Sequence, residues 1–313
     1  MSLATEPLVS VVIPAYRAAG SIGNCLASLC AQREPPTFEV LVVDSSPDDS
    51  TRRTIRAFER PQGGGLDLQV LSSPERLYPG TARNLGVRHA RAARLLFLDA
   101  DCVAHPELLS RAVAALDAGA SAVGGVIEMP GGASVSARIR HLMEFKESLP
   151  GVPARSTWQL PSACLAVARS AFERHGGFPD TRASEDWLFN WSMWQAAEPM
   201  FFDPRLCIRH DTPGGWGNLA RYARTLGRAS GEARREGGLP GQELVRHPWL
   251  AVALPFGRTV RAFLWCARYA PVQALFLFFA WPLYFVVASI WARAFHAGVR
   301  GNVSRSRAKV SSV

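Results

Sequence analysis

Glycine-rich phosphate loops and cysteine pairs are both missing from this 313-residue chain. The first predicted strand is followed by Pro14-Ala15-Tyr16-Arg17, which is neither a P-loop nor the G-x-G-x-x-G turn of dinucleotide-binding enzymes. The six cysteines include no C-x-x-C pair, so a thiolate-bound metal or a disulfide framework is not indicated. These absences argue against a dehydrogenase, and they disfavour a nucleotidyltransferase.

A secretory signal is also absent from the first residues, Met1 to Glu6, which have neither a basic nor an apolar region. Cys25 and Cys30 fall on the apolar face of one predicted helix and are expected to be small core residues. We therefore expect the main domain to lie in the reducing cytoplasm.

Acidic residues are scarce in the last third of the chain. Residues 203–313 carry 16 Lys and Arg but only 5 Asp and Glu, whereas residues 1–202 carry 19 and 21. An anionic partner of this third could be a lipid head group, a diphosphate or nucleic acid. Nucleic acid is disfavoured, because Tyr222 is the only aromatic residue of the basic stretch Asn218–Glu236.

Short apolar runs alternate with helical patterns over the first 125 residues, which is typical of an α/β fold with a mostly parallel sheet flanked by helices. The predicted strands are Leu8–Pro14, Glu39–Asp44, Leu68–Ser72, Leu95–Asp99 and Ala122–Ile127. Ser21 is expected to cap a helix reaching Gln32, and Pro106 to lie in the first turn of another. Ligands of such sheets bind beyond the carboxyl ends of the strands.

The stretch from Pro130 to Pro161 is rich in Gly, Ser, Arg and Pro, which predicts a mobile loop or short helix, and not a sheet element. Such a segment could act as a lid. A tryptophan-rich helix is predicted after Ser184. Trp158, Trp187 and Trp191 would offer flat apolar faces to a sugar ring or lipid.

Tyr269–Ala292 contains 24 residues without a charge, enough to span a hydrocarbon core of about 30 Å. The arginines that follow predict a cytoplasmic tail. A cytoplasmic main domain then requires the chain to enter and return, with Trp249–Cys266 as the other leg. Because Arg258 and Arg261 interrupt that leg, an interfacial amphipathic helix is an alternative for Trp249–Cys266. For the uncharged run Tyr269–Ala292, the alternative is an apolar helix buried against the domain.

Two carboxylates, Asp99 and Asp101, follow the apolar run Leu95–Leu98 and so project from the end of a buried strand. Neighbouring anions repel each other unless a cation joins them. A divalent ion, Mg²⁺ or Mn²⁺, accepts oxygen ligands and can also hold a diphosphate. Asp-x-Asp also occurs in ordinary turns, which remain the alternative for this motif alone.

Four motif segments follow one another along the chain: Val9–Tyr16, Glu39–Thr51, Gly80–Gly86 and Leu96–Asp101. In this order they resemble the family-two glycosyltransferases of the GT-A fold, over roughly residues 8 to 236. The resemblance implies a Rossmann-like nucleotide-binding half, a UDP- or GDP-sugar donor and a divalent cofactor. Ser45 and Pro47 depart from the family pattern, which usually has a second acid and a small residue there.

The resemblance also implies a set of donor-binding residues. They are Pro14, Ala15, Tyr16, Asp44, Ser46, Gly80, Arg83, Asn84, Asp99, Ala100 and Asp101. The first three are expected beside the base and ribose, and Asp44 is expected to accept a base N–H. Asp99 would approach the ribose or sugar, and Asp101 would bind the metal.

Glu185 and Asp186 follow Gly176–Pro179 and resemble the acceptor-side acidic pair of the same family. An inverting transfer needs a base that takes the proton of the acceptor hydroxyl. We assign Asp186 as that base, with Glu185 orienting it or holding acceptor hydroxyls. The alternative is that both acids only favour the dipole of the helix they begin.

His210 follows a strand-like apolar run; in many relatives a histidine at this place reaches the metal or diphosphate, although a lone histidine is commonly structural. Arg221, Arg224 and Arg228 recur at helical spacing. Arg221 and Arg224 are candidates to bind the diphosphate, because a guanidinium donates two hydrogen bonds at once. The three arginines could instead contact lipid phosphate or form a solvated helix face.

Together these features predict a membrane-bound, metal-dependent, inverting hexosyltransferase that uses a lipid-linked or cell-surface glycan acceptor. Its catalytic domain would comprise residues 1–245, its membrane-associated helices residues 246–298 and its basic tail residues 299–313. A non-catalytic membrane adaptor that retains the fold is the alternative, as is another nucleotide-dependent transferase. Intact acids at four positions argue against an adaptor, since a degenerate site has no reason to keep them.

Overall fold

The computed structural model describes residues 6–58, 66–241 and 243–301. Within these residues, nine strands form one sheet in the order β3-β2-β1-β4-β8-β6-β9-β5, with β7 paired to β9. The strands are β1 Val9–Ala15, β2 Phe38–Asp44, β3 Leu68–Ser72, β4 Arg94–Leu98, β5 Cys102–Ala104, β6 Ala122–Glu128, β7 Arg155–Ser156, β8 Cys164–Ala168 and β9 Met200–His210. The α/β class is therefore confirmed.

Eleven α-helices flank the sheet or follow it within the described residues. They are α1 Ile22–Cys30, α2 Ser50–Arg56, α3 Pro79–His89, α4 Leu108–Asp117, α5 Val135–Phe145, α6 Arg169–Arg174, α7 Glu185–Gln195, α8 Trp216–Gly237, α9 Glu243–Arg246, α10 Leu254–Tyr269 and α11 Pro271–Arg300. Two 3₁₀ turns, Lys146–Ser148 and Pro248–Ala253, precede Leu149 and α10.

The first half of the sheet is parallel. Strand β1 pairs with β2 on one side and with β4 on the other, and β2 pairs with β3. Residues 40–43 and 95–98 are fully buried, because helices cover both faces and the strands read as continuous apolar runs. The carboxyl ends of β1, β2 and β4 consequently meet at one edge. All five predicted strands are present, with ends that differ by at most one residue.

The second half of the sheet is mixed. Strand β8 runs antiparallel to both β4 and β6, while β9 is parallel to β6 and antiparallel to β5 and β7. Strands β5, β7 and β8 were not predicted. The expectation that residues 130–161 contain no sheet element is wrong, because Arg155 and Ser156 pair with β9. The same segment contains α5, whose first turn is capped by the Ser134 hydroxyl.

Two predicted helix starts also differ. Ser21 precedes α1, but its hydroxyl donates to the Ala18 carbonyl at 3.4 Å and makes no capping bond. Helix α4 begins at Leu108, after Pro106. Both differences lie at the first turn of a helix, where turn geometry competes with the cap and the exact first residue varies.

Helix α11 lies across α8 at a close crossing. A Cβ atom on Gly227 would lie 2.3 Å from the Trp291 carbonyl oxygen, and one on Gly231 would lie 2.3 Å from the Phe295 carbonyl oxygen. The two glycines are one helical turn apart, so they let the backbones of α8 and α11 touch. One face of the second half of α11 is therefore buried against the domain, as expected from the alternative to a transmembrane span, an apolar helix buried there.

One face of the first half of α11 and the neighbouring face of α10 are exposed. We call this surface the outer apolar face. Its residues are Phe256, Val260, Leu264, Val272, Leu275, Phe278, Phe279, Trp281, Leu283 and Val286. Among the described helices, α11 is the one that is long and apolar enough to cross a membrane. The predicted basic tail, with Arg305, Arg307 and Lys309, lies outside the described residues after Gly301.

Replacing Gly231 by alanine is expected to destabilise the crossing by roughly 1 to 3 kcal/mol, because the new methyl group must displace the backbone of α11. Gly257→Ala is the matched control. No atom lies within 4 Å of the position its methyl group would take, so the better helix propensity of alanine should stabilise α10 by roughly 0.5 to 1 kcal/mol. Thermal unfolding in detergent measures both effects. Equal melting temperatures for the two variants would contradict the close crossing.

Candidate active site

A cavity of about 650 Å³ lies at the edge where β1, β2 and β4 end, within the usual size of a small-molecule site. Nine of the predicted site residues line it. They are Pro14, Ala15, Tyr16, Arg83, Asp99, Ala100, Asp101, Glu185 and Asp186. The strand ends supply one wall, and helices α3, α5, α7, α8, α10 and α11 supply most of the others. The sheet therefore gathers residues that are up to 172 positions apart in the sequence, from Pro14 to Asp186.

One end of the cavity is formed by Tyr16 after β1. The Arg76 guanidinium lies over the Tyr16 ring, 4.3 Å from its centroid. Arg17 has a φ of 52°, a left-handed conformation that is uncommon outside glycine. Strained backbone of this kind concentrates at functional sites. Arg76 was not predicted as a site residue.

Asp44 and Ser46 do not line the cavity. Asp44 is buried, and its Oδ1 accepts a hydrogen bond of 3.0 Å from the Ser46 amide. The Ser46 hydroxyl oxygen accepts a bond of 2.7 Å from the Arg17 amide. These contacts stabilise the turn after β2 against the turn after β1. A direct contact of Asp44 or Ser46 with the donor stays a prediction.

Arg83 joins the two acidic parts of the site. Its side chain is 2% exposed, and its guanidinium donates to Asp99 at 2.5 Å and to Glu185 at 2.9 Å. The adjoining carboxylates raise the pKa of Arg83 against the opposing effect of burial. A buried charge is tolerated when it is paired in this way. Arg83 therefore ties α3 to the end of β4 and to the start of α7.

Gly80 and Asn84 support the same junction from outside the cavity. A Cβ atom on Gly80 would lie 3.0 Å from the Glu185 Cγ atom. The Asn84 side chain donates to the Phe178 carbonyl at 2.7 Å and accepts from the Phe178 amide at 3.0 Å. Gly80 therefore lets α3 approach α7 closely, and Asn84 ties α3 to the loop before α7. A direct contact with the donor stays a prediction for each.

Asp186 lies in the cavity without an arginine partner. Its Oδ2 accepts from the Ser162 amide at 3.2 Å and its Oδ1 from the Trp187 amide at 2.8 Å. Burial, followed by the neighbouring Glu185, raises the pKa of Asp186 to about 7. The preceding Ser184 is buried with a φ of 69°. A carboxyl group with this pKa can accept and release a proton near neutral pH.

Asp101 and His210 lie side by side where β5 pairs with β9. The His210 Nε2 atom is 3.4 Å from the Asp101 Oδ1 atom, and its Nδ1 atom contacts the Thr212 hydroxyl at 3.2 Å. Burial raises the pKa of Asp101, and Asp99 adds to this rise. A bound cation would offset the free-energy cost of burying Asp101 beside the second anion, Asp99.

These donor atoms fit a divalent ion. Ligand atoms of Asp101, Cys102 and His210 lie within 4.8 Å of one another. Cys102 is an unsuitable ligand for a hard ion, since burial raises the pKa of its thiol well above the usual range. A carboxylate oxygen and an imidazole nitrogen remain. The Thr212 contact at Nδ1 orients the ring so that Nε2 faces Asp101.

Arg221 and Arg224 do not line the cavity. Arg221 is exposed and bonds to Asn218, and Arg224 is exposed as well. The face of α8 that lines the cavity is formed by Tyr222, Thr225, Leu226, Ser230 and Arg234. The geometry gives no support to a diphosphate clamp formed by Arg221 and Arg224, because they project from the other side of the helix.

The sequence pattern of α8 could have indicated which of its residues face the cavity. The small or apolar residues Leu219, Ala223 and Gly227 recur at four-residue spacing, which marks the buried face of a helix. Arg234 borders that face. The charge pattern alone directed the prediction to the solvated side, where arginine is most common.

Residues 10–176, more than half of the chain, match the family described as Glycosyl transferase family 2. The chain belongs to this family. Glycosyltransferase AglE of Haloferax volcanii is 36% identical over 182 residues, which cover 56% of this glycosyltransferase and 57% of AglE. Validoxylamine A glucosyltransferase of Streptomyces hygroscopicus subsp. limoneus is 35% identical over 111 residues, 35% of this chain and 24% of that protein. The matches thus span little more than half, or less, of these relatives.

Solved structures of glycosyltransferases share the fold. Mannosyltransferase PcManGT from Pyrobaculum calidifontis, in complex with GDP-Man and Mn²⁺, has a TM-score of 0.65 at 23% identity, covering 95% of this chain and 88% of that one. Staphylococcus aureus TarS 1–349, in complex with UDP-GlcNAc, has a TM-score of 0.55 at 18% identity, covering 93% and 90%. The predicted GT-A fold of this glycosyltransferase is confirmed.

The raised pKa of Asp186 predicts a pH-dependent stability. Since the folded protein favours the protonated form, the stabilisation is full below the ordinary pKa of 3.8 and is lost as the pH rises to about 7. Asp186→Asn removes the charged form. Its melting temperature should be similar to that of the wild type at pH 4 and increasingly higher up to pH 8.

Asp117→Asn, at the end of α4 and away from the cavity, is the control and should gain no such advantage. A melting-temperature difference between Asp186→Asn and the wild type that stays constant from pH 4 to pH 8 would contradict the raised pKa.

Proposed function

We propose that this glycosyltransferase is an inverting, metal-dependent hexosyltransferase in which Asp186 is the catalytic base. The observation that carries the proposal is a carboxyl group with a pKa of about 7 in the same cavity as the strand-end acids Asp99 and Asp101. The donor is a UDP- or GDP-sugar. The acceptor is a lipid-linked or cell-surface glycan.

The donor occupies the strand-end side of the cavity. The nucleoside would be flanked by Pro14, Ala15 and Tyr16. The Tyr16 ring and the Arg76 guanidinium that lies over it offer a flat surface for a base. Both solved neighbours described above were crystallised with nucleotide-sugars, which supports a donor of the same chemical class for this chain.

Asp101 and His210 would hold a Mn²⁺ or Mg²⁺ ion beside the donor. When bound, the ion neutralises charge that develops on the leaving diphosphate. The mixed oxygen and nitrogen donor set favours Mn²⁺ over Mg²⁺, which prefers oxygen ligands. The Mn²⁺ in the complex of the mannosyltransferase neighbour supports this choice.

Asp186 would take the proton of the acceptor hydroxyl. At the same time the acceptor oxygen forms a bond to the anomeric carbon of the sugar, and the bond from that carbon to the diphosphate breaks. The base must be unprotonated to act, and a pKa of about 7 gives a substantial fraction of that form at neutral pH. Arg83 neutralises Glu185 and Asp99. Its charge also counteracts the rise that burial and Glu185 cause in the pKa of Asp186.

The adaptor alternative receives less support from this arrangement. Arg83 accounts for two of the four acids as a structural ion pair. Asp186 has no such partner, although burial raises its pKa by a large amount. Groups whose pKa is strongly shifted by their surroundings are typical of catalytic sites.

The outer apolar face would lie in the membrane. Its exposed part of α11, from Val272 to Val286, is about 22 Å long at 1.5 Å per residue. That is less than the roughly 30 Å of a hydrocarbon core. We therefore propose that α10 and α11 enter one leaflet and return, which keeps the catalytic domain (residues 1–245) and the tail on the cytoplasmic side, with residues 246–298 as the membrane-associated part.

Purified protein is expected to release nucleoside diphosphate from one sugar nucleotide of a UDP- and GDP-sugar panel in the presence of Mn²⁺, and to lose this activity with EDTA. Removing a general base lowers turnover by roughly 100-fold or more, so Asp186→Asn should fall by that factor. The rate should rise with pH and level off above pH 7, because the unprotonated carboxylate is the active form.

Asp117→Asn is again the control and should retain full activity with the wild-type pH profile. Full activity in Asp186→Asn would refute the base assignment. No turnover of any donor, with membrane lipids added as acceptors, would favour the adaptor.

Membrane attachment is expected to depend on the outer apolar face. A double substitution of Phe278→Asp and Phe279→Asp places two charges on side chains that are 60% and 74% exposed, so membrane partitioning should fall by about tenfold or more. Flotation with vesicles of phosphatidylcholine and phosphatidylglycerol measures it. Phe201→Asp, at an exposed position of β9, is the control and should float like the wild type. Equal flotation of all three proteins would disprove the attachment.

A further inference from the structure

Part of the cavity is lined by the three C-terminal helices α8, α10 and α11. We call it the helix-lined end and define it by Tyr222, Ser230 and Arg234 of α8, Arg258 of α10 and Trp291 of α11. None of these residues has a part in the transfer chemistry described above. Two of them are arginines.

Arg258 has no hydrogen-bond or ion-pair partner among the described residues. Its guanidinium lies over the Trp291 ring, 4.0 Å from the ring centroid, and its Nε atom is buried without an acceptor. A guanidinium has five N–H donors. Stacking on an indole orients the group but accepts none of these hydrogen bonds in the ring plane. The donors of Arg258 are therefore available to a ligand.

Arg234 is only partly satisfied. It donates from Nη1 to the Ser230 carbonyl at 2.9 Å and from Nε to the Pro240 carbonyl at 3.0 Å, so backbone oxygens fix its position without neutralising its charge. Burial, and then the nearby Arg258, lower the pKa of Arg234 to about 10. Two cations thus face one cavity and disfavour each other.

Glu147, the acid that acts on Arg258, is already paired. It lies 2.8 Å from the Lys146 ammonium and 3.1 Å from the Arg261 guanidinium. Glu144 lies 3.9 Å from the Arg140 guanidinium, and its Oε2 atom has no hydrogen-bond partner. No ion pair among the described residues includes Arg234 or Arg258. Buried charges are stable when a counter-charge is bound, and guanidinium groups match the geometry of phosphate oxygens.

The surroundings of Arg258 favour an anion other than the donor diphosphate. The ionisable groups with the largest effects on Arg258 are Tyr284, Glu147, Arg261 and Tyr222, which all belong to helical segments. The helices that carry Arg258 and Trp291 also carry the outer apolar face. A ligand with an anionic head and an apolar chain would thus meet both surfaces on the same two helices.

We propose that Arg234 and Arg258 form a subsite for the phosphate group of a lipid-linked acceptor, so that the enzyme glycosylates a phosphorylated amphiphile. This inference rests on the proposed transfer of a sugar to a membrane-associated acceptor, and it names the chemical group that the acceptor must carry. The subsite fixes the acceptor at its phosphate, and the chain leaves along α10 and α11.

The test compares three probes in nonionic detergent: farnesyl phosphate, farnesol and inorganic phosphate. Binding to the full-length protein is measured by calorimetry. Farnesyl phosphate should bind at least tenfold more tightly than either of the others. Arg234→Gln and Arg258→Gln should each weaken farnesyl phosphate at least tenfold, whereas the charge-retaining Arg258→Lys should recover part of the affinity.

Matched controls are Arg228→Gln and Arg268→Gln, on the exposed faces of α8 and α10, which should bind farnesyl phosphate like the wild type. Melting temperatures identify a variant that has simply lost its fold, and the Arg258→Lys variant then carries the comparison. Binding of the sugar nucleotide is measured in parallel and should be unchanged in Arg234→Gln and Arg258→Gln.

Equal affinity of farnesyl phosphate for all variants would overturn the subsite, as would equal affinity for farnesol. Inorganic phosphate that binds as tightly as farnesyl phosphate would show a site for free phosphate and overturn the lipid-linked acceptor. Loss of sugar-nucleotide binding in Arg258→Gln would assign the arginines to the donor and overturn it too. Arginine-dependent farnesyl phosphate binding without any donor turnover would uphold the subsite and reject the proposed transfer.

Discussion

The buried Arg83 guanidinium is the interaction on which the site depends. It donates to Asp99 at the end of β4 and to Glu185 at the start of α7, and so joins the parallel half of the sheet to the part of the chain that carries Asp186. Without it, three carboxylates would face one another in a partly buried cavity, at a high cost in free energy. Because the charge of Arg83 also counteracts the rise that burial and Glu185 cause in the pKa of Asp186, one side chain contributes both to the assembly of the site and to the protonation of its proposed base.

The strand-end residues were predictable, because parallel strands with continuous apolar runs leave few choices for their carboxyl ends. Tyr16, Asp99 and Asp101 follow such runs directly, and the structure places all three in one cavity. The role of Arg83 was not predictable in the same way. Its sequence position indicated the donor, but its two partners are 16 and 102 residues away, and no local pattern reveals such pairings.

Residues on helices were harder to assign than residues on strands. The arginines of α8 occupy several faces, and only packing against α11 decides which face is turned inwards. Gly227 and Gly231 make that contact possible, so the packing of α8 against α11 fixes the rotation of α8 that places Arg234 at the cavity. A charge pattern finds basic residues, but the packed face of the helix determines which of them line the cavity.

Helix α8 contacts both the C-terminal helix and the cavity. Its glycine face contacts α11, which carries part of the outer apolar face, while Tyr222 and Arg234 line the cavity. A rigid helix that touches both surfaces fixes their relative position, since a backbone contact leaves little freedom to slide. In the proposed function, an acceptor anchored in the membrane would then present its reacting hydroxyl at a set depth beside Asp186. The depth at which α10 and α11 insert would consequently determine which acceptors reach the proposed base.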